Sequence, residues 1–240
     1  MKFSRTFIQP IAPYNFNGTV YVPHYFPTPD FEWQPDTMWQ TLNLDKRLFG
    51  LKMENRGVTN RPKIRLTVYS ESGSTPDVMD EVVEELNWRY GFTEDISEFF
   101  QKFENDKFLK PVFKRWKGMR VNCANSLYEL LMISIVLQNA TIKRTIQMMN
   151  NLFTAYGSKL KFDSKELFTY WNPEDLSGVD EEELRALKVG YRAKMIKRVS
   201  EAFSRREIDE LKLRRMSTED SKQELMKLYG VGPATAQIIL

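Results

Sequence analysis

The chain reads as an α+β protein: an N-terminal antiparallel β-sheet with a covering helix, followed by an all-α region. Three observations lead there. Residues 1–70 are rich in aromatics, proline and β-branched residues, the composition of strands and tight turns. From Thr93 onward apolar residues recur at helical spacing, punctuated by Gly157, Pro173, Gly178 and Gly190. The charge changes sign along the chain, from −4 over residues 1–100 to +7 over residues 101–240. The boundary is expected at 92/93, with an α+β domain over 1–92 and a helical domain over 93–240.

In the first part, Gly18–Val22, Gly50–Met53 and Lys63–Tyr69 are expected strands. In the last, Ile64, Leu66 and Val68 alternate with Arg65, Thr67 and Tyr69, the period of a half-buried sheet. Ser72–Pro76 reads as a turn, with Pro76 suited to a first helical turn. Val78, Val82, Val83 and Leu86 then repeat at helical spacing to about Tyr90. Thr93 is expected to cap a helix to Phe103, with Glu94 and Asp95 at its positive end. Asn105-Asp106 opens a short helix toward Trp116. Asn125 is expected to cap Ser126–Leu137, which lacks a polar face and must be buried. Further helices are expected at Ile142–Tyr156, Ser164–Trp171, Glu181–Leu187, Arg192–Phe203, Glu207–Arg214 and Thr218–Leu228. A last one, Ala234–Leu240, ends in Ile-Ile-Leu after two turns; such a helix is marginal alone, and the sequence is expected to be part of a longer chain.

With 42% hydrophobic and 28% charged residues over 240 positions, the chain has material for a folded core. The most apolar stretch, Leu130–Leu137, is far too short to span a bilayer, and the first residues lack a signal-peptide pattern. Cys123 is the single cysteine, which excludes an intramolecular disulfide and a cysteine-rich metal or iron–sulfur site. The expectation is an intracellular monomer with no membrane partner, cytoplasmic or nucleoid-associated, or nuclear in a eukaryote. His24, the single histidine, falls in the sheet region and is expected to be structural. The basic second part suits a polyanion; an unevenly charged solvated surface would read the same way.

The last residues carry the chemistry. Leu228-Tyr229-Gly230-Val231-Gly232-Pro233 separates two helical stretches, with Pro233 placed to start the second. Glycine permits a sharp reversal and leaves no side chain between the amides and an approaching anion. Amides of Gly230, Gly232 and the first helical residues would point outward, at a helix N-terminus, where a phosphate fits without reading base sequence. A Gly-x-Gly between helices can equally be a plain packing turn.

Leu228 to Ala236 resembles the L-x-G-[VI]-G-x-x-T-A hairpin of the helix-hairpin-helix GPD superfamily of DNA glycosylases. Three further stretches agree in order. Ser126–Gly157, with Val136-Leu137-Gln138-Asn139-Ala140-Thr141, resembles the family's wedge-bearing helix–loop–helix. Leu187 to Lys194 resembles its L-G-x-x-x-R-A-K/R segment. The α+β start followed by helices is similar to the branch of 3-methyladenine DNA glycosylase II and 8-oxoguanine DNA glycosylase.

The resemblance implies a base-excision repair enzyme that binds double-stranded DNA, flips a damaged base and cleaves its N-glycosidic bond. It implies that Gly230, Val231, Gly232, Ala234 and Thr235 grip backbone phosphate. No organic cofactor is implied, but a monovalent cation, Na+ or K+, on the carbonyls of Leu228 and Val231 is. Asn139, preceded by Gln138, lies where the family fills the gap left by the flipped base. Arg192 and Lys194 lie where the family carries basic residues, and Lys143 and Arg144, just beyond the wedge, could contact phosphate on the same reasoning. On their own, Asn139 reads as a helix-end residue, and Arg192 and Lys194 as solvated surface.

Two departures bear on chemistry. Ala234 stands where bifunctional members carry the lysine that forms a Schiff base, which implies a monofunctional hydrolysis. The family's aspartate lies about twenty residues past the hairpin, beyond Leu240, so no catalytic residue is expected within residues 1–240. Alkylated purines are the favoured substrate, since a cationic base would stack on aromatic faces; Trp33, Trp39, Trp88, Trp116 and Tyr229 are candidates, although most aromatics are core. An 8-oxoguanine-type enzyme without its lysine and a non-catalytic DNA-binding protein are the alternatives.

Overall fold

The computed structural model describes residues 1–21 and 27–240, so His24 lies outside the described residues. The chain forms two compact units: residues 1–124 with 159–169, and residues 125–158 with 170–240.

The first unit is built on a five-stranded antiparallel sheet in the order β1-β5-β4-β3-β2. Its strands are β1 (Lys2–Ile8), β2 (Phe31–Gln34), β3 (Thr37–Leu44), β4 (Arg47–Asn55) and β5 (Ile64–Ser70). The alternation expected for β5 holds in part: Ile64, Leu66 and Val68 are buried against the covering helix and Arg65 and Tyr69 are partly exposed, but Thr67 on the second face is buried as well. Between β1 and β2, Phe16–Val20 is a short helix, α1, and not the strand expected from Gly18; Asn15 caps it by accepting from the Gly18 amide at 2.8 Å. Thr19 and Val20 are β-formers, but a local cap decides the conformation of so short a segment. The covering helix α2 (Pro76–Tyr90) starts with Pro76 in its first turn and is capped by Thr75. It buries Val82, Leu86 and Tyr90 on the sheet residues Met38, Leu51, Met53, Leu66 and Val68.

The boundary at 92/93 is corrected to 124/125. Two short helices, α3 (Ser97–Phe103) and α4 (Leu109–Trp116), belong with the sheet. The buried Arg120 guanidinium donates to the carbonyls of Pro13 (3.0 Å), Gly118 (3.0 Å) and Glu94 (2.6 Å). Gln40 and Arg89 both donate to the Ala124 carbonyl, at 2.8 and 2.7 Å. These bonds hold the connecting segment to the sheet. Thr93 does not cap α3; its amide and hydroxyl go to the Asn87 carboxamide oxygen, and Asp95 accepts from the Ser97 amide.

Residues expected to be helical from Ser164 instead form a hairpin, β6 (Ser158–Phe162) and β7 (Lys165–Thr169). Asp163 and Ser164 both adopt the left-handed conformation (φ 46° and 61°), the two-residue reversal that suits a twisted hairpin. Phe162 and Leu167 pack with Trp39 on the second face of the sheet. Gly50 allows this: a Cβ there would lie 2.4 Å from the Phe162 ring.

The second unit is helical. Its core is α5 (Leu127–Leu137), packed against α6 (Ile142–Tyr156), α9 (Arg192–Ser204) and α12 (Pro233–Ile239). Leu131, Met132, Ile135 and Val136 of α5 are fully buried, as its apolar sequence requires. Ser126, and not Asn125, caps it, in a capping box with Glu129. The Tyr128 hydroxyl lies 2.7 Å from the Ser200 hydroxyl and accepts from the Trp171 indole at 3.2 Å; burial pushes its phenol well above the usual range. Shorter helices α7 (Pro173–Ser177), α8 (Glu181–Leu184), α10 (Glu210–Leu213) and α11 (Thr218–Leu225) complete the unit. The expected helix Glu207–Arg214 shrinks to α10 because Arg206 turns left-handed and the Glu207 amide folds back on Ala202. A single π-type turn, Arg185–Val189, follows α8 and is tied to α6 by Asn151 on the Leu187 carbonyl (2.8 Å).

Candidate nucleic-acid interface

Leu225 ends α11, and the chain reaches α12 through residues 226–232. Leu225, Leu228, Val231 and Ala236 are buried and anchor both arms of this hairpin, Val231 as its packing residue. Gly230 reverses the chain at φ +85°, a region where a side chain is strained. A Cβ there would also meet Met195 Cγ of α9 at 2.9 Å, so the glycine seats the hairpin on α9. Gly232 differs: its φ is −95° and nothing lies within 4 Å of a Cβ at that position. Pro233 opens α12, as its fixed φ favours.

The hairpin leaves donors over. The Val231 amide bonds to Leu228 (3.1 Å) and the Ala236 amide to Gly232 (2.9 Å). For the amides of Gly232, Ala234 and Thr235 there is no partner among the described residues. Ala234 is exposed and Thr235 half-buried.

Three segments distant in sequence meet beside this turn. The Gln138 carboxamide donates to the Gly230 carbonyl at 3.2 Å, joining the α5–α6 loop to the hairpin. Its neighbour Asn139 is exposed and left-handed (φ 49°). The Tyr191 hydroxyl donates to the Gln138 carbonyl at 3.4 Å, and Asn139 Nδ2 lies 3.4 Å from that hydroxyl. Tyr191 is 47% exposed although its ring is large and apolar.

Two of the expected DNA contacts, Arg192 and Arg144, are engaged within this unit. Arg192 is 7% exposed; its guanidinium donates to the Gln138 carbonyl and lies 4.6 Å from the Tyr191 ring centre. It braces the loop through that carbonyl, and its Nε has no partner among the described residues. Arg144 donates to Gln147 (2.6 Å) and to the Lys188 carbonyl, clamping α6 to the turn before α9. Gln138 likewise spends its side chain on the hairpin. Lys143 and Lys194 are exposed, and the Lys194 ammonium lies 5.3 Å from the Tyr229 ring centre. Of the aromatics considered for a base pocket, Trp39 is core, donating to Asp163 at 2.7 Å, and Trp33 stacks on Tyr21. Trp88, Trp116 and both of these belong to the first unit; Tyr229 alone of the five belongs to the unit that carries the hairpin.

Tyr191 and Arg198, whose guanidinium lies 4.5 Å from the Tyr229 ring centre, were not legible as site residues. The signals were present: an aromatic directly after a helix-breaking glycine, and two cations one helical turn apart.

The helical unit thus presents a glycine hairpin with unpartnered amides at Gly232, Ala234 and Thr235 and an exposed Asn139–Tyr191 loop alongside. Residues 132–232 match the family model of the HhH-GPD superfamily base excision DNA repair proteins. It is 26% identical over 176 residues to a probable N-glycosylase/DNA lyase of Methanothermobacter thermautotrophicus, which covers 65% of this chain and 56% of that protein. The chain spans little more than half the length of the curated relatives it matches. In fold it is similar to the 3-methyladenine DNA-glycosylase from Archaeoglobus fulgidus (TM-score 0.78, 15% identity, 98% of this chain and 78% of that one). It is also similar to MBOgg1, solved in complex with a low-affinity DNA ligand (TM-score 0.72, 23% identity, 100% and 78%). The α+β class expected from the sequence agrees with these folds.

Proposed function

We propose that the protein is a base-excision repair glycosylase: it binds duplex DNA, flips a damaged base and hydrolyses its N-glycosidic bond. The observation that carries this reading is the group of unpartnered amides at Gly232, Ala234 and Thr235, beside an exposed Asn139 and Tyr191. Amides at a helix start bind a phosphodiester without regard to sequence, and side chains next to them can occupy the space a flipped base leaves. The two proteins to which the chain is similar in fold are named as a 3-methyladenine glycosylase and as an Ogg1 solved with DNA.

Ala234, exposed on the first turn of α12, has no amine with which to form a Schiff base. Lys227 does not replace it: it precedes the turn and pairs with Glu224 at 2.5 Å. The reaction is therefore hydrolysis without strand cleavage, and the group that supports it belongs after the hairpin. Alkylated purines are the favoured bases. A monovalent cation fits the hairpin: the Leu228 carbonyl accepts one bond and keeps a lone pair, and no backbone donor reaches the Val231 carbonyl among the described residues. Those two oxygens would hold it, adding positive charge where a phosphate docks.

The test is the full-length gene product on duplexes carrying single methylated, deaminated or oxidised purines. The expected product is an abasic site, cleaved only after alkali, with no adduct trapped by borohydride. Direct nicking by pure protein overturns the hydrolytic reading, and binding without product on any base leaves a DNA-binding protein in its place.

A further inference from the structure

Beside the hairpin lies a feature of which the family resemblance covers only Lys194 and the free amides cover nothing. Lys194 and Arg198 stand one turn apart on α9, and both cations lie over the ring of Tyr229, at 5.3 and 4.5 Å from its centre. Neither has an ion-pair partner among the described residues. Like charges four residues apart on a helix repel, and a cation over an aromatic face is attracted by the ring. The ring thus holds together two positive charges that would otherwise spread apart, and leaves them without an anion.

Position gives the pair its meaning. Tyr229 immediately precedes Gly230, and Gly230 is pressed against Met195, the residue after Lys194. The cation pair and the free amides of Gly232, Ala234 and Thr235 therefore belong to one stretch of surface on the second unit. Two other arginines of this unit pair with carboxylates: the exposed Arg185 with Glu181 and the partly buried Arg214 with Glu210. Tyr229 is 42% exposed, so the ring is reachable from solvent.

We propose that Lys194 and Arg198, held over the Tyr229 ring, form a second phosphate seat beside the hairpin amides, with Tyr229 as the positioning residue. The ligand is a phosphodiester of the bound duplex, so the inference rests on the DNA-binding reading above. Arg198 and Tyr229 thereby join the interface.

Salt dependence tests this without knowledge of the damaged base. Full-length protein is titrated with undamaged duplex DNA from low to moderate salt. Each phosphate contact contributes about 0.9 to the slope of log affinity against log salt, so Lys194→Gln with Arg198→Gln should flatten it by about 1.8. Over a fourfold salt range that is a loss of roughly tenfold in salt sensitivity. Arg185→Gln, which removes an already paired charge, should leave the slope unchanged. Tyr229→Leu should weaken binding several-fold with the melting temperature kept, and Tyr229→Phe should restore it. A double variant with the wild-type slope overturns the phosphate seat while leaving the hairpin reading intact. A Tyr229→Phe variant as weak as Tyr229→Leu overturns the role of the ring. Wild-type protein that does not bind duplex overturns both this inference and the reading it rests on.

Discussion

The β6–β7 turn of the first unit and the glycine hairpin of the second both gather polar groups where the chain reverses, and they treat them in opposite ways. At the first, Asp163 accepts from the Trp39 indole (2.7 Å) and the Tyr69 hydroxyl (3.0 Å) and pairs with Lys52 (2.7 Å). Every strong donor near that carboxylate comes from its own unit. At the second, three amides and two cations have no acceptor among the described residues. A turn that serves the fold satisfies its own polar groups, because each one left dry and unpaired costs about 1–3 kcal/mol. A turn that keeps donors free at the surface is available to an outside ligand.

The largest effect should come from the open hairpin. Gly232→Asp meets no steric obstacle but sets a carboxylate where a phosphate would dock. Duplex affinity should fall by tenfold or more, since hydrogen bonds to charged groups contribute about 1.5–3 kcal/mol. Thermal unfolding should not change, and a destabilised variant would show that the turn serves the fold. Asp163→Ala is the counterpart. It removes one acceptor and strands Trp39 and Tyr69, and should lower stability by about 1–3 kcal/mol in denaturant titration while leaving the salt dependence of DNA binding intact.

Gly230→Ala should sit between the two. Its positive φ and the contact with Met195 predict a loss of about 1–2 kcal/mol in stability, with affinity weakened only as far as the hairpin shifts. Equal effects at Gly230 and Gly232 would erase the distinction between the seating glycine and the open one.

The smallest effect is on pH dependence. Burial raises the Asp163 carboxyl, but the bonds from Lys52, Trp39 and Tyr69 outweigh it and leave the group below its ordinary value of 3.8. A carboxylate lowered in the folded state contributes stability that is full above its unfolded value and is lost as pH falls through the folded one. Wild-type protein should therefore lose stability below about pH 3.8 more steeply than Asp163→Asn, read from urea midpoints at successive pH values. Parallel curves would mean that the turn is not held by charge. Burial, together with the same carboxylate, holds the Tyr69 phenol up at about 12.

Where side-chain spacing alone decides the outcome, the sequence was sufficient. The period of Ile64, Leu66 and Val68 marked β5, and the apolar run from Leu127 marked a buried helix. Pro76 and Pro233 marked helix starts, and the Gly230-Val231-Gly232 spacing marked the hairpin. These signals are local, since each residue's contribution depends on neighbours within a few positions. The Lys165–Thr169 strand was missed, although Asp163-Ser164 between two alternating runs was a usable hairpin signal.

Other properties were fixed only by tertiary contact. No spacing rule indicates that Arg192 turns inward to a loop carbonyl more than fifty positions away while Arg198 stays outside over a tyrosine ring. An arginine carries the same charge in either place, and only the packing around it determines whether that charge meets a carbonyl or solvent. The same holds for the domain boundary, which moved to Ala124 because Arg120, Gln40 and Arg89 deliver their hydrogen bonds across distant parts of the chain. Local pattern thus determined the fold class and the hairpin, and long-range burial decided which charges the folded protein leaves free.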